Sequence, residues 1–207
     1  ALGRALFGRF DLVLCQSEKL GRWFEAVGAR RVAAVGNLKI DAPAPPHDAT
    51  ELQRLTEALR GRRVLVAAST HEGEEPVIAA AHRELALRLG NFCTVIAPRH
   101  PERGPAIAAE LQGLGFKVAL RSKGCLPDPG CEIYIADTIG ELGTLYLLSP
   151  VAFMGKSLIA GGGGQNPIEA VRLGAAVVTG PHWSNFRDAY RTMQRHTADG
   201  LALQPER

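Results

Sequence analysis

Residues 63–97, RVLVAASTHEGEEPVIAAAHRELALRLGNFCTVIA, decide the fold of this chain. An apolar run at 63–68 is followed by a polar loop at 69–73, a segment of helical period at 74–89 and a second apolar run at 92–97. This order predicts two neighbouring parallel strands joined by a crossover helix, because parallel strands need a long connection between them.

The same alternation recurs along the chain and predicts an α/β fold with a doubly wound, mostly parallel sheet. Ser17 is a predicted N-cap, and Asn166-Pro167-Ile168-Glu169 combines an N-cap, a first-turn proline and a first-turn carboxylate. The predicted strands are 10–16, 31–35, 63–68, 92–97, 116–120, 132–136, 151–154 and 175–179. The predicted helices are 17–27, 50–60, 74–89, 101–114, 139–148, 166–173 and 184–196.

Composition excludes several classes of protein. With 24 Lys and Arg against 21 Asp and Glu, the net charge is only +3, and no basic run points to nucleic acid. No apolar stretch reaches the ~20 residues of a membrane span, and the first ten residues do not resemble a signal peptide. The four cysteines form no CxxC pair, which favours reduced thiols in a cytoplasmic protein and gives no support for a zinc site.

A proline-rich stretch at 41–48, DAPAPPHD, marks a domain boundary. We expect a βαβ piece at 1–41, a linker at 42–50 and a longer α/β unit at 51–207. About forty residues cannot bury a core of their own, so the first piece is expected to expose apolar surface and to dimerise or aggregate unless something covers it.

The loops after the predicted strands are rich in Gly, His and hydroxyl residues. In a doubly wound sheet these loops share one edge, where ligands bind, so they predict a cleft. Gly161–Gly164 before a helix start is either an anion cradle or a flexible turn. Glu169 is either a helix cap or an acceptor for ribose hydroxyls, and Arg99 either a surface charge or a phosphate clamp.

Several familiar motifs fail. Gly155-Lys156-Ser157 resembles the end of a phosphate-binding P-loop, but Pro150 occupies the place of its first glycine. There is no GxGxxG, no GxSxG elbow and no second histidine after His71-Glu72 for a zinc protease. Nucleophilic Ser or Cys catalysis therefore has no support.

Taken together, six segments resemble the 3-deoxy-D-manno-octulosonic acid (Kdo) transferases of lipopolysaccharide biosynthesis. They are GNLKID at 36–41, ASTHEGEE at 68–75, PRHPER at 98–103, DTIGEL at 137–142, NPIE at 166–169 and GPH at 180–182. The resemblance implies the C-terminal half of a GT-B glycosyltransferase with Rossmann-like domains. That half binds CMP-Kdo, the other half binds a lipid A precursor, and neither a metal nor a cofactor is expected.

Carried over by position, the resemblance implies a set of CMP-binding residues: Pro98, Arg99, Ile139, Gly140, Glu141, Asn166, Pro167, Ile168 and Glu169. It places Arg99 near phosphate, 139–141 at a helix start along the nucleotide, and Glu169 on the ribose hydroxyls. Further candidates for the donor cleft are Ser69, Thr70, His71, His100, Thr138, Ser157, Gly163, Gly164 and Gln165.

The sequence departs from the family pattern at four of these loop positions. Ala136 stands where Gly is usual, Ile139 where Met is usual, Lys156 where Gly is usual and Gln165 where His is usual. The last two bear on donor affinity and sugar specificity, and Lys156 offers an additional charge contact to the donor.

The resemblance also implies what this chain does not supply. The family's general base is a carboxylate of the acceptor domain, which also makes the membrane contact at the cytoplasmic face of the bacterial inner membrane. We therefore expect a soluble donor-binding portion, truncated at its C-terminus, that is inactive alone. Two alternatives remain: a GT-B enzyme for another nucleotide sugar, and a non-catalytic nucleotide-binding remnant.

Overall fold

The computed structural model describes residues 2–36 and 43–196. Its contacts divide the chain into two compact units, Ala1–Pro43 and Ala44–Arg207. Most of the GNLKID segment, the first position of the predicted linker and the predicted C-terminal truncation lie outside the described residues. The assignment of the units to an acceptor and a donor domain stays a prediction.

The first unit contains α1 (Leu2–Phe7), β1 (Val13–Cys15), α2 (Glu18–Ala26) and β2 (Val32–Ala34). β1 and β2 pair in parallel, with Val13 opposite Val32. The predicted cap is confirmed, since Ser17 Oγ accepts from Leu20 N at 3.3 Å. The sequence did not predict α1, and the first strand is shorter than predicted. As expected, apolar side chains are exposed in this unit, Leu14 to 55%.

The second unit is a six-stranded parallel sheet, which confirms the predicted fold class. The strand order is β5-β6-β4-β3-β7-β8. From β3 the chain passes to β4, then to the edge strand β5, and returns to place β6 between them before it crosses to β7 on the other side of β3. The strands are β3 (Arg63–Thr70), β4 (Phe92–Pro98), β5 (Val118–Leu120), β6 (Ile133–Ile135), β7 (Val151–Met154) and β8 (Ala176–Thr179).

Helices cover both faces of this sheet. They are α3 (Ala49–Ala58), α4 (Glu75–Leu89), α5 (Gly104–Gly113), α6 (Leu142–Tyr146), α7 (Ile168–Arg172) and α8 (Arg187–His196), with 3₁₀ turns at Pro101–Arg103, Arg121–Lys123 and Ser184–Phe186. In the described residues no helix is both long and apolar enough to cross a bilayer.

The core forms two layers, one on each face of the sheet. Every residue of β4 is buried, which explains its continuous apolar sequence. Because side chains alternate along a strand, Val95 belongs to the cluster beneath α3 and α6, whereas Ile96 belongs to the cluster beneath α4 and α5. His82 of α4 is buried in the second layer, with Nδ1 3.0 Å from Thr94 Oγ1, and burial lowers its pKa.

Several helices begin later than the sequence predicts. The predicted helix at 139–148 begins only at Leu142, because Gly140 has φ +84°, which an α-helix does not accommodate. Residues 139–141 therefore form a turn that leads into the helix, with Glu141 at the N-cap position, instead of its first turn as predicted. The predicted helix at 166–173 begins at Ile168, and the one at 101–114 opens as a 3₁₀ turn before α5.

The described part of the proline-rich stretch lies against α6. Asp48 N donates to Thr144 Oγ1 at 3.0 Å, and a Cβ on Gly143 would lie 2.1 Å from Pro46 O. Asp48 also caps α3 through the N–H groups of Thr50 and Glu51. α3 thus begins inside the predicted linker 42–50.

β7 approaches β3 so closely that only glycine fits where β7 ends. Gly155 N donates to Ala68 O at 2.8 Å, and a Cβ on Gly155 would lie 2.3 Å from Ser69 O. Both contacts are with backbone, which cannot swing aside as a side chain can.

We predict that Gly155→Ala lowers the free energy of unfolding by about 3 kcal/mol, since the backbone must shift to admit the methyl group. Urea denaturation measures the change. The matched control is Gly113→Ala in α5, where a Cβ meets nothing within 4 Å. The control should be neutral or stabilising, by up to about 1 kcal/mol. Equal unfolding midpoints for the two variants would contradict the prediction.

Candidate functional site

The candidate site lies at the carboxyl ends of β3, β4, β6 and β7, where the strand order of the sheet reverses. Crevices at such points are where open α/β sheets bind ligands. A cavity of about 250 Å³ opens at the ends of β3, β4 and β6. Seven of the predicted site residues line it: Ser69, Pro98, Arg99, Thr138, Ile139, Gly140 and Glu141.

A β-bulge shapes the β3 side of the cavity. Ala68 pairs with Ala97 and Thr70 with Pro98, so Ser69 is an extra residue, and its φ is +54°. Thr70 O then accepts from Arg99 N at 2.9 Å, which fixes the start of the loop after β4. Bulges of this kind redirect side chains beside functional sites.

The buried carboxylate of Glu74 joins the loops after β3 and β7. Oε2 accepts from His71 N at 2.8 Å and from Lys156 N at 2.7 Å. Oε1 accepts from Ser157 N at 2.8 Å and Leu158 N at 2.9 Å. The side chain is fully buried, so these four N–H groups take the place of water around its charge.

Glu75, also fully buried, joins α4 to the segment after β4. Its carboxylate accepts from both terminal nitrogens of Arg103, at 2.9 and 3.2 Å, and from Thr70 Oγ1 at 2.9 Å. Neither Glu74 nor Glu75 was among the predicted site residues. Pro76 signals a helix start at this point, but nothing in the pattern signals that the acids at the N-cap and in the first turn point inward.

Glu141 is already paired within the protein. It accepts from Arg121 through both oxygens and from Thr138 Oγ1. Burial alone would raise the pKa of the Glu141 carboxyl, but the bonds from Arg121 and Thr138 hold it below its usual range. Arg121, which sequence reasoning missed, therefore fixes the turn at 138–141. A ligand would meet the backbone of this turn rather than a free carboxylate.

The glycine-rich loop is pinned, which argues against the flexible-turn alternative. Gly164 N donates to Lys156 O at 2.7 Å, and Gly163 O accepts from Asn185 N at 2.9 Å. Gly163 has φ +88°, and a Cβ there would lie 2.5 Å from the Asn185 side chain. The loop leads into α7, which has only five residues, so a helix dipole contributes little to the predicted cradle.

Asn166 and Glu169 lie together at the entry to α7. Asn166 Oδ1 accepts from Ile168 N at 3.2 Å, and its Nδ2 donates to Glu169 Oε1 at 3.4 Å. Glu169 is half-buried. Burial, and then the charge of Glu169, raise the pKa of the Tyr146 phenol, which places this carboxylate near α6.

A second group of predicted residues surrounds His71, outside the lining of the cavity. His71 Nε2 lies 3.0 Å from Gln165 Nε2, and its ring lies edge-on to that of His100 at 5.9 Å. Burial, then the charge of Lys156, lowers the pKa of His71. The uncharged imidazole therefore dominates at neutral pH.

Two of the predicted cleft residues support the loops from beneath. Thr70 is fully buried and its hydroxyl donates to Glu75. Ser157 is fully buried as well, donating to Met154 O at 2.6 Å and accepting from Gly180 N at 2.9 Å. Their hydroxyl groups are occupied, so the expectation that they line the cleft is corrected. Across residues 2–36 and 43–196, no group of three or more His, Cys, Asp or Glu is arranged to hold a metal ion.

No protein-family model matches the chain. Among curated proteins, it is 32% identical over 197 residues to the 3-deoxy-D-manno-octulosonic acid transferase of Haemophilus influenzae and 37% identical over 198 residues to that of Bordetella pertussis. Each alignment covers 92% of this chain and 45% of the relative. The chain therefore spans less than half the length of these relatives.

Among solved structures, the chain is similar to the C-terminal CMP-Kdo binding domain of WaaA from Acinetobacter baumannii. The TM-score is 0.67 and the sequence identity 32%, over 72% of this chain and 78% of that one.

We predict that Glu74→Gln lowers the free energy of unfolding by about 2–4 kcal/mol, because the amide removes the charge and turns an NH₂ donor toward backbone N–H groups. Thermal or urea denaturation measures the loss. The matched control is Glu72→Gln, an exposed position in the same loop. The control should stay within about 0.5 kcal/mol of the unaltered chain. An unchanged unfolding midpoint for Glu74→Gln would show that the four bonds do not matter.

Proposed function

The chain belongs to the 3-deoxy-D-manno-octulosonic acid (Kdo) transferase family, and we propose that it supplies the donor-binding half of such an enzyme, with CMP-Kdo as donor. Its fold is that of the C-terminal half of a GT-B glycosyltransferase. The observation that carries the proposal is the cavity at the carboxyl ends of β3, β4 and β6, lined by Arg99 and the turn at 138–141.

Arg99 is the proposed phosphate ligand of the nucleotide. Its side chain is exposed at the cavity while its backbone is fixed by Thr70 O, and it has no ion-pair partner among the described residues. A guanidinium free of internal partners can form paired hydrogen bonds with phosphate oxygens.

The turn at 138–141 is the proposed support for the cytosine and ribose. Ile139 is 87% exposed at the cavity, where an apolar side chain can cover one face of a base. Gly140 leaves the backbone open to close approach, since it has no side chain and nothing lies within 4 Å of where a Cβ would stand. Pro98 lines the same cavity.

Glu169 is the proposed ligand of the ribose hydroxyls. It is half-buried, and Asn166 Nδ2 lies 3.4 Å from one of its oxygens, which leaves the other available. A carboxylate accepts hydrogen bonds from both hydroxyls of a ribose, as acidic residues do in dinucleotide-binding folds. In this proposal the buried Pro167 and Ile168 hold the two polar side chains on either side of them in place.

The proposed reaction is transfer of Kdo to a hydroxyl of a lipid A precursor, in lipopolysaccharide biosynthesis at the cytoplasmic face of the inner membrane. The acceptor oxygen bonds to the anomeric carbon, the bond from that carbon to the CMP phosphate oxygen breaks, and CMP leaves. Arg99 would stabilise the charge on the departing phosphate. A general base takes the acceptor proton, and we assign that base, and the membrane contact, to the acceptor-binding part of the enzyme.

We predict that the chain binds CMP and that Arg99→Ala and Glu169→Ala each weaken binding at least tenfold, or about 1.4 kcal/mol. Each substitution removes a charged hydrogen-bonding partner of the nucleotide. Isothermal titration calorimetry measures the affinity.

Arg88→Ala and Glu84→Ala are the matched controls, since both side chains are exposed on α4 outside the cavity. Their affinities for CMP should equal that of the unaltered chain. Normal CMP binding by the Arg99 and Glu169 variants would contradict the residue assignments. Absence of CMP binding, or a preference for UMP, would contradict the proposed donor.

A further inference from the structure

Lys156 adopts a backbone conformation that lysine rarely occupies. Among the described residues only Ser69, Asn91 and Lys156 combine a side chain with positive φ, and that of Lys156 is +59°. Asparagine tolerates this region because its short amide bonds locally, and Ser69 is the extra residue of a bulge. Neither explanation applies to Lys156, which has a long side chain and is not part of a bulge. Strained residues of this kind cluster at functional sites.

The backbone of Lys156 is held from both sides. Its N–H donates to the buried Glu74 at 2.7 Å, and its carbonyl accepts from Gly164 N at 2.7 Å. A Cβ on Gly162 would lie 2.2 Å from the same carbonyl. The direction in which the lysine side chain leaves the backbone is therefore fixed, at the end of β7 where the strand order reverses.

Lys156 lies near the cluster of His71, His100 and Gln165, close enough for its charge to lower the pKa of His71. His71 Nε2 lies 3.0 Å from Gln165 Nε2, and the centroids of the His71 and His100 rings lie 5.9 Å apart. Lys156 acts on His71 as a nearby positive charge, alongside the opposing charge of Glu74 and the smaller effects of His100 and Arg103. Arg103 is bound to Glu75, whereas Lys156 has no ion-pair partner in residues 2–36 and 43–196.

We propose that Lys156 determines donor specificity by binding the carboxylate of the donor's acidic sugar. This rests on the proposed function, in which the sugar is an ulosonic acid and carries that carboxylate. An ammonium would also bind the nucleotide phosphate. We assign it to the sugar because Arg99 is already the proposed phosphate ligand, and Lys156 follows β7, on the other side of β3 from Arg99.

The test compares Lys156→Gly, Lys156→Arg and the unaltered chain by titration with CMP and with CMP-Kdo. Lys156→Gly removes the charge and relieves the backbone, so it should unfold at a higher urea concentration. We expect it to bind CMP-Kdo about tenfold more weakly but CMP within about twofold. Lys156→Arg keeps the charge and should retain most of the CMP-Kdo affinity. The control Lys117→Ala removes an equal charge from the opposite edge of the sheet, before β5, and should change neither affinity.

A second measurement follows the ring of His71 by NMR. If the ammonium faces this ring, Lys156→Gly should raise the pKa of His71, whereas a purely structural role for Lys156 would leave it unchanged. Equal loss of CMP and CMP-Kdo affinity in Lys156→Gly would assign the lysine to the phosphate and overturn the proposal. So would full CMP-Kdo affinity in that variant. If the unaltered chain bound neither ligand, the proposed function itself would fail.

Discussion

The carboxylate of Glu74 is the interaction on which the site depends. A fully buried charge is tolerated only when hydrogen bonds replace its water, and here four backbone N–H groups do so. Three of them belong to the loop after β7 and one to the loop after β3. Because β3 and β7 are the two strands between which the strand order reverses, one side chain sets the geometry of the crevice between them.

The hydrogen bonds of Glu74 explain how two strained residues persist in neighbouring loops. Ser69 and Lys156 both have positive φ, and each would relax if its loop were free to move. Neither loop is free, since Glu74 holds one end of each and Gly155 packs against the backbone of Ser69 with no room for a side chain. The strain is thus maintained by neighbours that lie outside the cavity. As a result, the residues that face the cavity stand on a rigid backbone.

The sequence predicts the layers of this fold better than it predicts the hydrogen bonds and ion pairs that hold the site together. The parallel sheet follows from apolar runs such as β4, which is buried along its whole length and needs no polar face. The loops that meet in the cavity follow from the same rule, since parallel strands place their carboxyl ends at one edge. Inward-pointing acids cannot be predicted in this way. Glu74 stands at a helix start, where an exposed capping acid would look the same in the sequence. Arg121 and Glu141 are twenty positions apart, and neither their residue types nor their spacing predicts that they pair.

The charged groups that have no ion-pair partner decide which ligands the site attracts. Partners within the protein occupy three acids of the site: backbone N–H groups bind Glu74, and arginines bind Glu75 and Glu141, so none offers a free carboxylate to a ligand. Arg99 and Lys156, by contrast, have no ion-pair partner in the part of the chain that the structure describes. The proposed donor carries two anionic groups, a phosphodiester and a carboxylate, and two unpaired cations match that number. A chain whose net charge is only +3 can therefore offer two cations to an anionic donor, because the acids that hold these loops are bound within the protein while Arg99 and Lys156 are not.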